Sequence, residues 1–301
     1  MKLDMATPKD SPRTPDASGA IRTFSPSDWE GSVGDVWAAE WQRTDRSFAS
    51  LAPHLNAAAI AAVEGLAAPR ILDIGCGAGG TSMALATALP GATITGVDIS
   101  PGLIETARRR GASLSNLQFG LGPVEELAGS HAPIDLFVSR HGVMFFPDPV
   151  PAFTAIRAAA APAGRLVFSC FRSIARNPWA EEIVGAVLGA PPPQSAGYMP
   201  GPFAFADPDV VRALLTETGW RDVEGTPIDY VYHAGAGADP VADALDLFGR
   251  IGPAATPLRT AAPEERPAMA ARLAAVLERY HQGDVVDFPA AAWLWSAHNK
   301  E

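Results

Sequence analysis

The stretch RILDIGCGAGGTS, residues 70–82, determines how the rest of this sequence is interpreted. Its apolar run 71–74 predicts a short buried strand, and a glycine-rich turn leads from it into a helical segment. Gly75, Gly77 and Gly80 have the G-x-G-x-x-G spacing, in which glycine lets the backbone approach a ligand at the positive end of a helix. The turn is therefore predicted to hold a ligand, and the spacing alone is compatible with a dinucleotide.

Two aspartates narrow the choice of ligand. Asp98 ends the second predicted strand in ITGVDIS, where a carboxylate can accept the hydroxyls of a ribose. Asp73 lies two residues before Gly75, where a carboxylate would repel a pyrophosphate and would suit a cationic group, bound directly or through water. The purely structural alternative is that Asp73 binds loop amides. The two aspartates together favour an adenosyl ligand that carries an ammonium group.

From residue 70 onward, short apolar runs alternate with helical stretches, which is typical of a doubly wound parallel sheet covered on both faces. The predicted strands are 71–74, 93–97, 117–119, 134–139, 165–171, one within 222–233, and 285–295. The predicted helices are 56–66, 80–89, 101–111, 151–161, 177–189, 209–218, and two within 239–282. We therefore expect an α/β fold with a mostly parallel, seven-stranded sheet.

Composition restricts the class of protein. The chain has 301 residues and a formal charge of −10, which argues against nucleic acid and anionic membranes as partners, since these are usually bound by a basic face. The basic run 108–110 ends a predicted helix and is expected to be solvated. Cys76 and Cys170 belong to no metal-ligand spacing, so no metal site is expected. No membrane span or signal-peptide core is recognised, which makes the cytoplasm the expected location.

The sequence divides into a tail, a helical segment and a main domain. Residues 1–24 are rich in Pro, Ser, Asp and Lys and are predicted to be disordered. Residues 25–68 are predicted to form an N-terminal helical lid. Residues 69–301 are predicted to form the main domain, with insertions at about 174–206 and 236–283 on the substrate side. Long irregular segments of this kind are often lids or binding loops.

Four segments carry a resemblance to a known family. ILDIGCGAGG resembles the first motif of the class I S-adenosylmethionine-dependent methyltransferases, and GVDIS resembles their second. IDLFVSRHGVMFFPDP and APAGRLVFSCF are similar to the fourth- and fifth-strand segments of the bacterial small-molecule branch. The resemblance covers about residues 70–171 and the Gly219-Trp220 turn. It implies a Rossmann-like fold, S-adenosyl-L-methionine as cofactor and S-adenosyl-L-homocysteine as product.

The resemblance also implies cofactor contacts. These are Asp73, Gly75, Cys76 and Gly77 at the methionyl part, Asp98 at the ribose, Ile99, Pro123, Val124 and Glu125 around the adenine, and Ser139, by its backbone, at the methionyl carboxylate or amine. Pro123 is a departure, because many relatives have an acidic residue there that accepts a hydrogen bond from the adenine amino group. Proline has neither a carboxylate nor an amide hydrogen. Either Glu125 takes over this contact or the affinity is lower.

His141 is the candidate catalytic residue. Methyl transfer from a sulfonium is an in-line displacement, so alignment supplies much of the catalysis, and a base is needed only for a protonated nucleophile. His141 follows the fourth predicted strand, close to the expected meeting point of donor and acceptor, and has the ordinary pKa of a base for a hydroxyl. A structural histidine at a strand end is an equal alternative. His233 is a minor second candidate.

Candidate substrate-binding residues lie in less patterned segments. They are Trp37, Trp41, Arg140 and Tyr198, with the loop 189–202 and the segment 239–282 as further walls. Aromatic rings can stack on a substrate or attract a cation, although ordinary helix packing also explains such spacing. Arg140 suits either a substrate carboxylate or a brace for the loop after the fourth strand. The apolar content of these segments suggests an apolar or aromatic small-molecule acceptor.

We predict a methyltransferase that acts on a small organic molecule, with oxygen favoured over carbon or nitrogen as the acceptor atom. One alternative is a nicotinamide-dependent oxidoreductase, against which Asp73 and the absence of Tyr-x-x-x-Lys both argue. The other is a binding scaffold that kept the fold without turnover, which Pro123 supports. The sequence leaves open whether the protein is a monomer or a homodimer.

Overall fold

The computed structural model describes residues 25–191 and 198–299, so the predicted disordered tail 1–24 lies outside the described residues. The α-helices are α1 Pro26–Glu30, α2 Ser32–Ala39, α3 Trp41–Ser47, α4 Ala52–Ala62, α5 Gly80–Ala88, α6 Pro101–Gly111, α7 Val124–His131, α8 Pro149–Ala158, α9 Pro178–Leu188, α10 Pro208–Glu217, α11 Pro240–Arg250, α12 Ala255–Thr260 and α13 Arg266–Arg279. The strands are β1 Arg70–Ile74, β2 Thr93–Asp98, β3 Leu117–Leu121, β4 Ile134–Arg140, β5 Ala160–Phe171, β6 Arg221–Ala236, β7 His281–Gln282 and β8 Val285–His298.

The sheet has the strand order β3-β2-β1-β4-β5-β8-β6, with the short β7 paired to β8. Pairing is parallel from β3 to β5, and β8 runs antiparallel to both β5 and β6. The chain order reverses between β1 and β4, and in open α/β sheets a ligand binds beyond the carboxyl ends of the strands at such a point. The predicted α/β fold with a mostly parallel sheet of seven long strands is confirmed.

Strand β1 lies at the centre of the sheet and is buried on both faces. Leu72 and Ile74 belong to the larger apolar core, whereas Ile71 belongs to the core beneath α4 and α5. Side chains alternate along a strand, so Asp73 shares the face of Ile71 and lies against α5. In register it sits between Gly96 of β2 and Val138 of β4. The sheet therefore places one carboxylate inside an apolar layer, directly before the glycine turn.

Several element boundaries differ from those predicted. Helix α4 begins at Ala52 rather than at residue 56, because Pro53 is accommodated in the first helical turn. Helix α7 was not predicted, since its sequence VEELAGSH is short and weakly periodic. The segment 239–282 contains three helices rather than two, and β7 was also missed. The helices of the segment 239–282 pack against β6, β8 and α9, so their number and bounds depend on what they contact.

Helices α1 to α3 precede the sheet and pack against its carboxyl edge. Helix α2 packs on α6, and α3 packs on β6. Gly34 in α2 lies so close to α6 that an added Cβ would be 2.2 Å from Ser100 Oγ. Within the described ranges, no helix combines the length and the apolar character that a membrane crossing requires.

Candidate functional site

A cavity of about 2250 Å³ lies at the carboxyl ends of the central strands. One half is formed by the turn after β1, the end of β2 and the start of α7. The other half is formed by the end of β5, β6, α9 and α12, and α1 to α3 border both halves. The insertions contribute Pro191 and Met199–Pro202 from one side and Ile251–Pro253 from the other. We call the first part the β1–β2 half and the second the β5–β6 half.

Asp73 is the buried charge of the β1–β2 half. Its exposed fraction is 1%, and Ser82 Oγ donates a 2.5 Å hydrogen bond to Oδ2, while Oδ1 has no partner among the described residues. Burial raises the pKa of Asp73 to about 7, against the smaller opposing effects of Ser82 and Arg140. A buried carboxylate with one free oxygen at the cavity wall is suited to a cationic ligand group.

The glycine turn brings backbone to the same wall. Gly75 and Gly77 have φ of +60° and +55°, which side-chain-bearing residues rarely adopt. A Cβ on Gly75 would lie 3.0 Å from the Cα of Gly142, whereas a Cβ on Gly77 would meet no atom of the described residues within 4 Å. Gly75 therefore permits the turns after β1 and β4 to cross closely. Gly77 leaves open space beside the cavity, as a bound ligand requires.

Asp98 organises the end of β2. Its two oxygens accept hydrogen bonds from the amides of Gly77 and Ser100, each over 2.9 Å. Burial raises the pKa of Asp98, and these amides oppose the shift. Each carboxylate oxygen has a second lone pair, so the residue can still accept ligand hydroxyls.

The remaining predicted contacts of this half lie together. Cys76, Ile99, Pro123, Val124 and Glu125 all line the cavity, with Pro123 at the N-cap position of α7 and Glu125 in its first turn. Ser139 differs, because it does not line the cavity. Its hydroxyl is buried, donates to the carbonyl of Ile74 over 2.8 Å and accepts from the amide of Gly142. Ser139 thus joins the turns after β1 and β4, and its direct contact with a ligand stays a prediction.

His141 lies in the cavity wall between the two halves, with a φ of +61°. Nδ1 lies 2.7 Å from Ser169 Oγ, and a hydrogen bond to the Ser169 backbone also affects the ring. The hydroxyl of Ser169 can donate to Nδ1 or accept from it, and the tautomer in which Nδ1 donates leaves the lone pair on Nε2. Nε2 is buried and has no partner among the described residues. Burial, followed by the charge of Arg140, lowers the pKa of His141 to about 3, so the ring is neutral at physiological pH.

Aromatic rings surround His141 and continue into the β5–β6 half. His141 lies edge-on to Phe171 at 4.1 Å between centroids and to Phe48 at 5.0 Å. Trp179 stacks on Tyr232 at 4.8 Å with an interplanar angle of 10°. Together with Phe203, these side chains form an aromatic box: Phe48, His141, Phe171, Trp179, Phe203 and Tyr232. Such walls suit a planar apolar molecule and also attract cations.

Asp45 of α3 joins the helical segment to the sheet. It accepts hydrogen bonds from Arg110 over 2.6 Å and from Arg140 over 2.9 Å. The Arg110 guanidinium also lies 3.7 Å from the ring centroid of Trp41. The expectation of a solvated basic run was therefore wrong for Arg110, because a distant helix supplies an acidic and an aromatic partner. Arg140 lines the cavity and braces α3 through the carboxylate that it shares with Arg110, and its contact with a substrate stays a prediction.

The other predicted substrate residues are separated. Trp37 and Trp41 line the cavity from the helical segment. Tyr198 is not among the cavity-lining residues, and its hydroxyl donates to the carbonyl of Phe146 over 2.7 Å. His233 also lies outside the lining, between Asp287 Oδ1 at 2.7 Å and Ser50 Oγ at 3.0 Å. In this position His233 fastens the start of α4 to β6 and β8.

Sequence reasoning missed several residues of the site. Five aromatic residues were missed because their local sequence does not distinguish a cavity wall from ordinary packing: Phe48, Phe171, Trp179, Phe203 and Tyr232. Asp45 and Ser169 gave no local signal, since their partners are distant in sequence. Among the described residues, no group of three or more His, Cys, Asp or Glu side chains is arranged to hold a metal ion.

Comparison with known proteins identifies the class to which this geometry belongs. A family model described as a methyltransferase domain matches residues 67–186. The ubiquinone biosynthesis O-methyltransferase of Bordetella parapertussis is 34% identical over 182 residues, which span 57% of this chain and 72% of that protein. The malonyl-[acyl-carrier protein] O-methyltransferase of Halalkalibacterium halodurans is 33% identical over 104 residues, or 34% of this chain and 38% of that protein.

A solved structure shares the fold at low sequence identity. It is a phosphoethanolamine N-methyltransferase 2 from Haemonchus contortus in complex with S-adenosyl-L-methionine, with a TM-score of 0.52 and 16% identity. The match covers 92% of this chain and 60% of that one. The family model and the Bordetella relative show the family: the chain belongs to the class I S-adenosylmethionine-dependent methyltransferases. Its cofactor is S-adenosyl-L-methionine, as predicted, and the oxidoreductase alternative is set aside.

The residues present fit this cofactor. The free Oδ1 of Asp73 is suited to an ammonium group, and the open space at Gly77 admits a ligand against the backbone. Asp98 can accept ribose hydroxyls at the end of β2. When bound, S-adenosyl-L-methionine supplies an electrophilic methyl group on a sulfonium sulfur.

Proposed function

We propose that the protein methylates a hydroxyl group on a small, planar and largely apolar molecule. The observation that carries this proposal is Nε2 of His141, which is buried at the cavity wall and has no hydrogen-bond partner among the described residues. An acceptor hydroxyl that donates to Nε2 satisfies this atom and is oriented by it. The names of the curated relatives, both O-methyltransferases, point to the same acceptor atom. Their different acceptors leave the substrate itself to be found by experiment.

The low pKa of His141 is compatible with this role. A neutral hydroxyl is a weak acid, but its oxygen becomes strongly acidic as it gains a methyl group. A base whose pKa is about 3 therefore accepts the proton late in the reaction, after the forming bond to the methyl group has made the O–H proton strongly acidic. Before that point His141 acts as a hydrogen-bond acceptor that positions the hydroxyl. In this role Nδ1 donates to Ser169 Oγ, which leaves the lone pair on Nε2.

The aromatic box supports the acceptor class. Phe171 and Phe48 flank the imidazole, and the stacked pair of Trp179 and Tyr232 extends the apolar wall into the β5–β6 half. A ring placed between such walls is held in a plane, which limits the approach of its hydroxyl to one direction.

The test is a methyl-transfer assay with radiolabelled S-adenosyl-L-methionine and a panel of matched phenols, anilines and carboxylic acids. Labelled product from phenols, with anilines and acids much poorer, supports hydroxyl methylation. The His141→Asn variant is the informative one, because asparagine tolerates a positive φ. It is expected to bind S-adenosyl-L-homocysteine normally and to transfer methyl groups at least about 100-fold more slowly. Preferred transfer to anilines, or full activity of this variant, contradicts the proposal.

A further inference from the structure

The cavity is lined by an excess of acidic side chains. Among the described residues that line it, eight are Asp or Glu and one, Arg140, is Lys or Arg. Arg140 shares the carboxylate of Asp45 with Arg110, so its charge is partly neutralised within the protein. Carboxylates in a cleft with low-dielectric walls attract cations and disfavour anions.

Most of these carboxylates have an evident partner or lie at the rim. Asp73 and Asp98 belong to the β1–β2 half, and Asp45 is paired with two arginines. Asp207 is exposed and caps α10 through the amide of Asp209. The exposed side chains at the rim are Glu30, Glu125 and Glu126. The remaining carboxylate is Glu181, which lies half-buried in the β5–β6 half. It has no side-chain hydrogen bond or ion pair among the described residues.

Glu181 lies on the cavity-facing side of α9. Val184 and Leu188 line the cavity from the same helix, at the spacings of three and seven residues that share one helical face. Its place in the first turn of α9 suits a negative charge, which explains why a carboxylate is stable there. In the same helix, Trp179 contributes to the aromatic box.

We propose that Glu181 binds a positively charged nitrogen of the methyl acceptor. The proposal rests on the proposed function and narrows it: the acceptor is an aromatic hydroxyl compound that also carries an amine or ammonium group. The aromatic box attracts the cation through the faces of its rings, and Glu181 pairs with it. Because a protonated amine has no lone pair, the hydroxyl remains the group that is methylated. Carboxylated or phosphorylated acceptors are repelled by the same side chain.

The test measures binding separately from turnover. Protein saturated with S-adenosyl-L-homocysteine is titrated by calorimetry with tyramine, 4-ethylphenol and 3-(4-hydroxyphenyl)propionate, which share a phenol and differ in charge. Tyramine is expected to bind about tenfold more tightly than the propionate, with ethylphenol between them. In Glu181→Gln this ratio is expected to fall to about two, and in wild type it is expected to shrink as salt is added. The matched control is Glu182→Gln, because Glu182 pairs with Arg279 and Tyr280 outside the cavity.

The outcomes are distinguishable. Equal binding of the two charged phenols, tighter binding of the propionate, no binding of tyramine, or a ratio unchanged in Glu181→Gln each overturns the proposal. A charge preference that Glu182→Gln abolishes equally also overturns it, because the effect would then be general. If the preference depends on Glu181 but no phenol is methylated, hydroxyl methylation fails while the binding role of Glu181 stands.

Discussion

Ser82 Oγ donates a 2.5 Å hydrogen bond to Asp73 Oδ2, while the other oxygen of this buried carboxylate has no partner among the described residues. The contact joins the first turn of α5 to the central strand and orients the carboxylate beside the glycine turn. Since Ser82 satisfies only one oxygen, the second is available to the cofactor, and burial keeps the pKa of Asp73 near 7 until a cation is bound.

Cofactor affinity is expected to depend on pH through Asp73. An ammonium group lowers the pKa of Asp73 on binding, so binding releases a proton below pH 7. The affinity for S-adenosyl-L-homocysteine should rise by up to about tenfold per pH unit toward pH 7 and then level off. Calorimetry between pH 5 and 8 measures this. In Asp73→Asn the affinity should be weak throughout and the dependence flat. An unchanged profile in this variant would contradict the assignment.

The same Asp73→Asn substitution is expected to stabilise the ligand-free protein. The folded-state pKa of Asp73, about 7, lies above its ordinary value of 3.8, so ionisation of this group opposes folding increasingly as pH rises between these values. Removing the charge should add at most about 4 kcal/mol at pH 8 and less than half of that at pH 5. Thermal unfolding of both proteins at the two pH values tests the sign. The prediction is refuted if the stability that the variant gains over the wild type is smaller at pH 8 than at pH 5.

His141 is expected to leave no titration in the activity profile near neutral pH. Its pKa is about 3, below the ordinary 6.5, so it stays neutral across the assay range. An acid limb of kcat/KM near pH 7 should therefore be due to Asp73 and should persist, at lower overall activity, in His141→Asn. The measurement is the pH profile of kcat/KM for the wild type, for His141→Asn and for Asp73→Asn. Loss of the acid limb in His141→Asn alone would assign it to the histidine instead.

Alanine at the two glycines of the turn should separate strain from ligand contact. Both positions have positive φ, so each substitution should cost about 1–2 kcal/mol of stability. Gly75→Ala also crowds Gly142 and should be the less stable variant, whereas Gly77→Ala meets no protein atom. Gly77→Ala should therefore fold but lose much of its cofactor affinity. Comparable melting temperatures for the two variants would contradict the packing role of Gly75. Normal cofactor binding by Gly77→Ala would contradict the ligand contact at Gly77.

Asp45→Asn is expected to loosen helices α1 to α3. The substitution removes the charge that pairs with Arg110 and Arg140, with an expected loss of about 2 kcal/mol. Limited proteolysis within residues 25–48 should become faster, and KM for the cofactor should rise more than kcat falls. Glu105→Gln is the matched control, since Glu105 pairs with Arg109 on the exposed side of α6. Equal effects of the two substitutions would mean that Asp45 has no special role.

The features that the sequence predicted well are those with short-range causes. The run 71–74, the glycine turn and Asp98 are recognisable because strand alternation and positive φ depend on a few neighbouring residues. Alternation of strands and helices then restricts the topology to a doubly wound sheet. The antiparallel β8 and the helix α7 were less accessible, because their places depend on what they pack against.

The residues of the β5–β6 half could not be predicted from the sequence in the same way. Phe48 and Phe171 contact the ring of His141, and Tyr232 contacts Phe48. These contacts depend on packing between segments far apart in the chain, which local sequence does not reveal. Arg110 was misassigned because its partner Asp45 is 65 residues away. Tyr198 was selected for its loop, yet its hydroxyl is bonded to Phe146 outside the cavity lining.

By itself, the sequence determined the fold class and the cofactor side of this protein, because a glycine turn between a strand and a helix is a local arrangement of backbone. Only the tertiary structure decided which side chains face the cavity, which charges are already paired and which polar atoms are left free. Those properties depend on burial and on contacts between distant segments. Among the described residues, these leave Nε2 of His141 and Oδ1 of Asp73 without a partner and place the half-buried carboxylate of Glu181 at the cavity wall.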